Sequence, residues 1–211
     1  MHLNVKPMNI LAIGSHPDDI EFGCGGALYK FARNGHRVFM YVVTNGSAGG
    51  KAVQRIAEQK KSCKLLGAQE VIWGKFKDTA LPSFKTVVDA IEHTVKKVEP
   101  TFVFVHHGKD THQDHRHVHA CAVSATRNIA NILFYEGPTS YDFDPNVFVT
   151  INSQLEPKVA ALKCHHSQVM KTNIRMHSIL DIARATATFR GTQCRAPFAE
   201  AFTSLRLLIN M

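Results

Sequence analysis

The stretch Ser15-His16-Pro17-Asp18-Asp19-Ile20-Glu21 sets an imidazole beside two adjacent carboxylates. Neighbouring acids repel, and burying them is costly unless a cation sits between them. Pro17 fixes a backbone angle and so helps hold His16 and the acids in one arrangement. The plainer reading is that Asp18 or Asp19 caps a following helix. A second cluster, His112-Gln113-Asp114-His115-Arg116-His117-Val118-His119, is richer still in imidazole. On a helix starting near Gln113, His115 and His119 share one face four residues apart, a spacing that can chelate zinc. No Glu follows the first histidine as in H-E-x-x-H, so the zincin pattern is not matched. His117 and His119 are more simply read as solvent-facing. Together the clusters offer His, Asp and His around a cation, with a further Asp and His nearby. Imidazole and carboxylate without thiolate suit a divalent ion, most often zinc, and three protein ligands leave a position open for water.

Both clusters follow strand-like runs. Residues 9–14 read as a short buried strand, 25–33 as a helix stopped by Asn34-Gly35, and 37–43 as a second buried strand. That βαβ unit implies a parallel sheet with helices on its faces. The alternation continues with a helix over 51–66 that turns Ile56, Cys63 and Leu66 inward, a strand at 71–73 and a helix over 84–98 stopped before Pro100. Residues 101–105 are the most strand-like run, followed by a polar loop at 106–111 and a helix over 113–128. Strands at 132–135 and 146–151 and helices over 155–166 and 174–187 complete the expectation, a single α/β domain spanning 1–211. In open parallel sheets ligands bind beyond the carboxyl ends of the strands, where both clusters fall.

His16-Pro17-Asp18-Asp19, the Gly25-Gly26 helix and His112-x-Asp114-His115 resemble the PIG-L/LmbE family of zinc-dependent N-deacetylases. The likeness extends through Thr44-Asn45-Gly46, Arg55-x-x-Glu58, Leu66-Gly67, His165-x-Ser167-Gln168, Arg190-Gly191 and Ala199-Glu200-Ala201-Phe202. It implies a Rossmann-like, mostly parallel sheet with the metal site at the C-terminal ends of the strands. It also implies removal of the acetyl group from an N-acetylglucosamine-type sugar, whether nucleotide-, lipid- or glycoside-linked. Carried over by position, His16, Asp19 and His115 match the metal ligands and Asp18 the general base that activates water. His112 matches the group that stabilises the oxyanion or protonates the leaving amine, in imidazolium form, with Asp114 supporting it. Arg55 and Asn45 are expected to meet substrate. Two departures stand out: Ile20 precedes Glu21 where the family carries Glu directly after the second Asp, and Gln113 replaces the proline of H-P-D-H. Neither removes a ligand. Glu21 reads equally as a first-turn helix acid, and His106-His107 as pocket lining or a strand end.

The chain has 211 residues, 45% hydrophobic and 20% charged, which excludes a disordered or collagen-like chain. No apolar run approaches the roughly 18 residues of a membrane span, and no signal peptide is visible, so a soluble cytoplasmic protein is expected. Five scattered cysteines without a C-x-x-C pair suggest neither a disulfide framework nor a thiolate zinc site. The net charge of +8 points to an anionic partner, such as a phosphorylated sugar. A nucleic-acid-binding module is the competing class, but no RNP-like aromatic pattern or long basic run appears. Lys60-Lys61 and Lys96-Lys97 read as solvated helix faces. A thiol-conjugate amidase or other amide hydrolase on the same fold, and a homo-oligomer, both remain compatible with these residues.

Overall fold

The computed structural model describes residues 6–172 and 174–209. The chain runs β1 (Asn9–Gly14), α1 (Asp19–Arg33), β2 (Arg37–Thr44), a 3-10 turn (Ser47–Gly49), α2 (Ala52–Leu65), β3 (Glu70–Phe76), α3 (Phe84–Val98) and β4 (Phe102–His106). It continues through α4 (Gln113–Ala125), β5 (Asn131–Tyr135), β6 (Val147–Thr150), α5 (Leu155–Lys163), α6 (Ile179–Gln193) and β7 (Ala199–Arg206). The strands form one seven-stranded sheet in the order β3-β2-β1-β4-β5-β7-β6. All pairings are parallel except those of β7, which runs antiparallel to both β5 and β6.

Successive residues of a strand point to opposite faces, and here both faces are covered. Ile10 and Ala12 of β1 pack with Leu28, Met40 and Leu66, whereas Leu11 and Ile13 pack with Val87, Ile91 and Val118. Burial on both sides is why these strands read as unbroken apolar runs. The connections from β1 and β4 leave toward opposite sides of the sheet, which opens a crevice between their carboxyl ends. The pairing of Ala12 with Phe104 brings the loop after β1 level with His106.

Several elements differ from the sequence expectation. The helix expected from residue 25 is the second limb of α1, which begins at Asp19 and breaks at Cys24, with φ −146° and ψ 15°. A buried ion pair satisfies the groups exposed by the break. Glu200 accepts from the amides of Gly26 (2.8 Å) and Ala27 (2.7 Å), and Lys158 donates to the Phe22 carbonyl (2.5 Å) and to Glu200 (2.6 Å). Strand β7, which supplies Glu200, was not anticipated. Helix α6 starts later than expected because Ser178 and Asp181 form a reciprocal capping box. It runs on through Gly191, where a Cβ would lie 2.6 Å from the Ala196 carbonyl oxygen. Helix α2 buries a polar stripe, Arg55, Glu58, Gln59 and Ser62, while Ile56 is only half-buried. Lys60, Lys61, Lys96 and Lys97 are exposed, as expected. Among the described residues, no helix is long and apolar enough to cross a membrane.

Candidate active site

The loop after β1 is held by α2. Asp18 takes φ 100°, a left-handed conformation that strains any residue with a side chain. Its amide donates to Gln59 Oε1 (3.3 Å), while Arg55 donates to the carbonyls of Pro17 (2.6 Å) and Gly46 (2.9 Å) and to Asp18 Oδ2 (3.4 Å). One turn further on, Glu21 is fully buried and accepts from Gln59 Nε2 and Ser62 Oγ, each at 2.6 Å, with His165 Nε2 3.3 Å away. Arg55, Gln59 and Ser62 thus face inward to position this loop and the start of α1, whereas Glu58 accepts from the amide and hydroxyl of Ser167 (3.1 and 2.7 Å).

The loop after β4 is organised by Asp110, which accepts from the His112 amide (2.8 Å), Thr139 Oγ1 (2.6 Å) and Ser140 Oγ (3.0 Å). His112 caps α4, its Nδ1 accepting from the Asp114 amide (3.2 Å). That bond leaves the ring proton of the neutral imidazole on Nε2.

The two loops meet at Asp19. Its carboxylate stands 3.3 Å from His16 Nδ1, 3.3 Å from His106 Nε2 and 3.5 Å from His115 Nε2. The far nitrogens of two of these rings face other buried acids. His16 Nε2 lies 3.0 Å from Asp78 and 3.2 Å from Asp114, and His115 Nδ1 lies 3.1 Å from Asp110. His106 stacks on His115 with centroids 4.0 Å apart, and its Nε2 accepts from the Ser15 amide (2.9 Å). Among the described residues, three overlapping sets have potential ligand atoms within 4.8 Å of one another: His16, His112 and His115; Asp19, His106 and His115; and His16, Asp78 and Asp114.

Charge follows from this arrangement. Burial opposes ionisation of Asp19, but His115, His106 and His16 overcome it and hold the carboxyl well below its usual range. Burial likewise lowers His115, yet Asp19 and Asp110 lift it to about 9, and His16 is raised well above its ordinary value by Asp19, Asp114 and Asp78. Burial and repulsion from His115 push His106 down to about 4, so it is neutral. Asp18 is pushed up to about 6 by burial, against the attraction of Arg55. Four buried acids thus gather around His16 and His115, and the cluster demands positive charge where these rings face Asp19. Protons or a divalent cation can supply it, and the oxygen and nitrogen donors present fit a cation.

His16, Asp18, Asp19, His112 and His115 all line one open cleft of about 670 Å³. Other expected residues are placed differently. The Asp114 carboxylate does not support the His112 ring; it faces His16 and accepts from the Thr79 amide (2.9 Å), so only its backbone reaches His112. His112 is not set up as an imidazolium, because burial and the neighbouring His115 and His16 lower its pKa. Arg55 borders the cleft, but its guanidinium is committed to Pro17, Gly46 and Asp18. Asn45 is absent from the lining, and its Oδ1 accepts from the Ser47 amide (3.2 Å) in its own turn. His119 is not solvent-facing: half-buried, it donates from Nδ1 to the His106 carbonyl (2.7 Å), away from the cluster.

Sequence reasoning passed over Asp78, Asp110 and Gln59 and left His106 undecided. His106 carried a signal, as the last residue of the strongest strand. Asp78 carried none, because it arrives from the loop after β3.

Comparison with known proteins agrees with this geometry. Residues 11–126 match the family model described as PIG-L, GlcNAc-PI de-N-acetylase. The chain is 37% identical over 171 residues to the uncharacterized deacetylase YaiS of Escherichia coli (strain K12), covering 77% of this chain and 92% of that protein. It is 29% identical over 185 residues to the diacetylchitobiose deacetylase of Thermococcus kodakarensis, covering 75% and 69% of the two chains. The solved N,N'-diacetylchitobiose deacetylase of Pyrococcus horikoshii, bound to its inhibitor MPG, superposes with a TM-score of 0.80 at 25% identity, covering 94% of this chain and 84% of that one. With its sheet order, its paired strand-end loops and these matches together, the chain belongs to the PIG-L family of de-N-acetylases.

Proposed function

We propose that the protein is a zinc-dependent hydrolase that removes the N-acetyl group from an N-acetylglucosamine-type sugar, with the metal held by His16, Asp19 and His115. The observation that carries this reading is the convergence of His16 Nδ1 and His115 Nε2 on Asp19, with the far nitrogen of each ring facing a buried carboxylate. Such outer carboxylates fix the tautomer and raise the basicity of ligating imidazoles. The overlapping sets are less suitable. The His106 Nε2 lone pair is taken by the Ser15 amide, the His112 Nδ1 lone pair by the Asp114 amide, and Asp78 and Asp114 face the far side of His16. A bound zinc supplies activation of water and polarisation of the acyl oxygen.

The chain's own groups account for the proton traffic. Asp18, ionised above a pKa of about 6, accepts a proton as water adds its hydroxyl to the acyl carbon. His112, neutral with its proton on Nε2, donates a hydrogen bond to the oxygen on which negative charge develops. As the C–N bond breaks, the protonated Asp18 returns its proton to the leaving nitrogen. Arg55 and Gln59 hold Asp18 in its strained conformation.

The cleft, at about 670 Å³, has the size of a ligand site and takes a sugar with part of its aglycone. Its lining includes one lysine, Lys171, which donates to the Gly49 carbonyl, so recognition of a phosphate there would rest on Lys171 rather than Arg55. The test is a screen of the zinc-loaded protein against free, nucleotide-linked and lipid-linked N-acetylglucosamine and N,N'-diacetylchitobiose. Acetate release that a chelator abolishes and zinc restores is the expected result. No acetate from any of them, with any divalent metal, would overturn the reading.

A further inference from the structure

A second, smaller space opens on the same cluster. It measures about 130 Å³ and shares Asp18, Asp19, His115 and Pro138 with the large cleft. The scissile amide of a bound substrate belongs at this junction, so its two halves must leave in different directions. A sugar ring with its aglycone requires the larger, more polar cleft, where His112, Thr139 and Gln168 stand. The acyl chain is left with the smaller space, whose further walls are Phe22, Tyr135 and Ile179.

We infer that this niche receives the acyl chain and has room for four carbons, which makes the protein a short-chain N-acyl hydrolase rather than an enzyme confined to acetyl. The inference rests on the N-deacetylase reading above. Size is the first argument. A methyl group needs little more than the ~30 Å³ that a water molecule occupies in the liquid, whereas an apolar cavity of about 150 Å³ admits benzene. A niche of about 130 Å³ is therefore much larger than acetyl requires. Chemistry is the second. The Tyr135 hydroxyl donates to the Ile13 carbonyl (2.7 Å) and His106 Nε2 is occupied by the Ser15 amide, so of these two side chains only the buried His106 Nδ1 is left without a partner among the described residues. Asp18, Asp19 and His115 stand at the junction with the cleft, and beyond them the remaining walls are Gly137 and the apolar Phe22, Pro138 and Ile179.

The walls are also fixed. Tyr135 is fully buried, its ring lying where a Cβ on Gly23 would come within 2.0 Å, so the absence of a side chain at Gly23 is what admits the ring. Ile179 packs against the cluster of Phe22, Leu162 and Ala183, and its amide donates to the Val169 carbonyl (2.9 Å) at the capped start of α6. Ile179 is thus the specificity-determining residue for chain length. A longer chain changes nothing in the bonds exchanged: one water is consumed, its hydroxyl joins the acyl carbon, the C–N bond breaks and the proton goes to the amine.

The experiment measures kcat/KM of the zinc-loaded full chain on N-acetyl-, N-propionyl-, N-butyryl- and N-octanoyl-glucosamine, reading free glucosamine. N-butyryl should fall within about tenfold of N-acetyl. Because one methylene in an apolar pocket is worth about 10–200-fold in selectivity, Ile179→Trp should lower N-butyryl by at least that much more than N-acetyl. Ile179→Ala, which serves if the Trp variant does not fold, should raise the ratio of N-octanoyl to N-acetyl. Hydrolysis of N-acetyl without N-butyryl in the unmodified protein would overturn the inference while sparing the deacetylase reading. So would unchanged chain-length ratios in the Ile179 variants. Failure on every chain length would overturn both.

Discussion

Replacing Arg55 with Gln removes a cation from beside the base while leaving most of the side-chain stem. Arg55 Nη2 lies 3.4 Å from Asp18 Oδ2. Unit charges at that distance attract by about 1.2 kcal/mol in bulk water and about 5 kcal/mol at an effective dielectric near 20. The Asp18 side chain is 25% exposed, so water screens part of the attraction, and about 1.5–3 kcal/mol is a fair range. At about 1.36 kcal/mol per pH unit, losing Arg55 raises the Asp18 pKa by about one to two units. The sign follows from the base being the charged form: the acid limb of kcat/KM moves to higher pH, and the rate recovers above it. The variant also leaves the Pro17 and Gly46 carbonyls short of donors, which lowers stability by about 1–3 kcal/mol, so rates are measured where it remains folded. The assay is a pH profile of acetate release, with kcat and KM resolved at each pH. A KM raised equally at every pH, with the acid limb unmoved, would make Arg55 a substrate contact and refute this reasoning.

Asp18→Asn should keep its metal and fold yet lose about 10²–10⁴ in kcat, the usual share of a general base, and parallel loss of metal would instead make Asp18 a ligand. Lys158→Met leaves Glu200 charged and unpaired in the break of α1, and should lower unfolding free energy by about 3–5 kcal/mol in urea titration. A loss below about 1 kcal/mol would show that Glu200 is satisfied by the Gly26 and Ala27 amides alone.

What the sequence revealed follows the physics of its strands. β1 and β4 lie buried on both faces and so are legible as apolar runs, and the polar clusters that follow them could be placed at the carboxyl edge before any coordinates. Side-chain direction within a loop was not legible, which is why the Asp114 carboxylate was assigned to His112 when it turns to His16. Helix α2 misled in part, for a related reason. Cys63 and Leu66 enter the core as the apolar periodicity implies, but Ile56 is only half-buried, and the buried polar residues beside them satisfy groups of another loop that no periodicity argument could reveal. β7 escaped notice because its buried face carries Glu200, whose partners lie in α1 and α5 and are distant in sequence.

The central claim, that His16, Asp19 and His115 hold the metal, is tested most directly by zinc content and calorimetric affinity of the purified chain. The unmodified protein should hold about one zinc per chain, the number an open site with three protein ligands implies. His16→Ala, Asp19→Ala and His115→Ala should each lose most of it, while His119→Ala, whose ring is committed to the His106 carbonyl, should retain it. Full occupancy in His115→Ala, or loss in His119→Ala, would contradict the account.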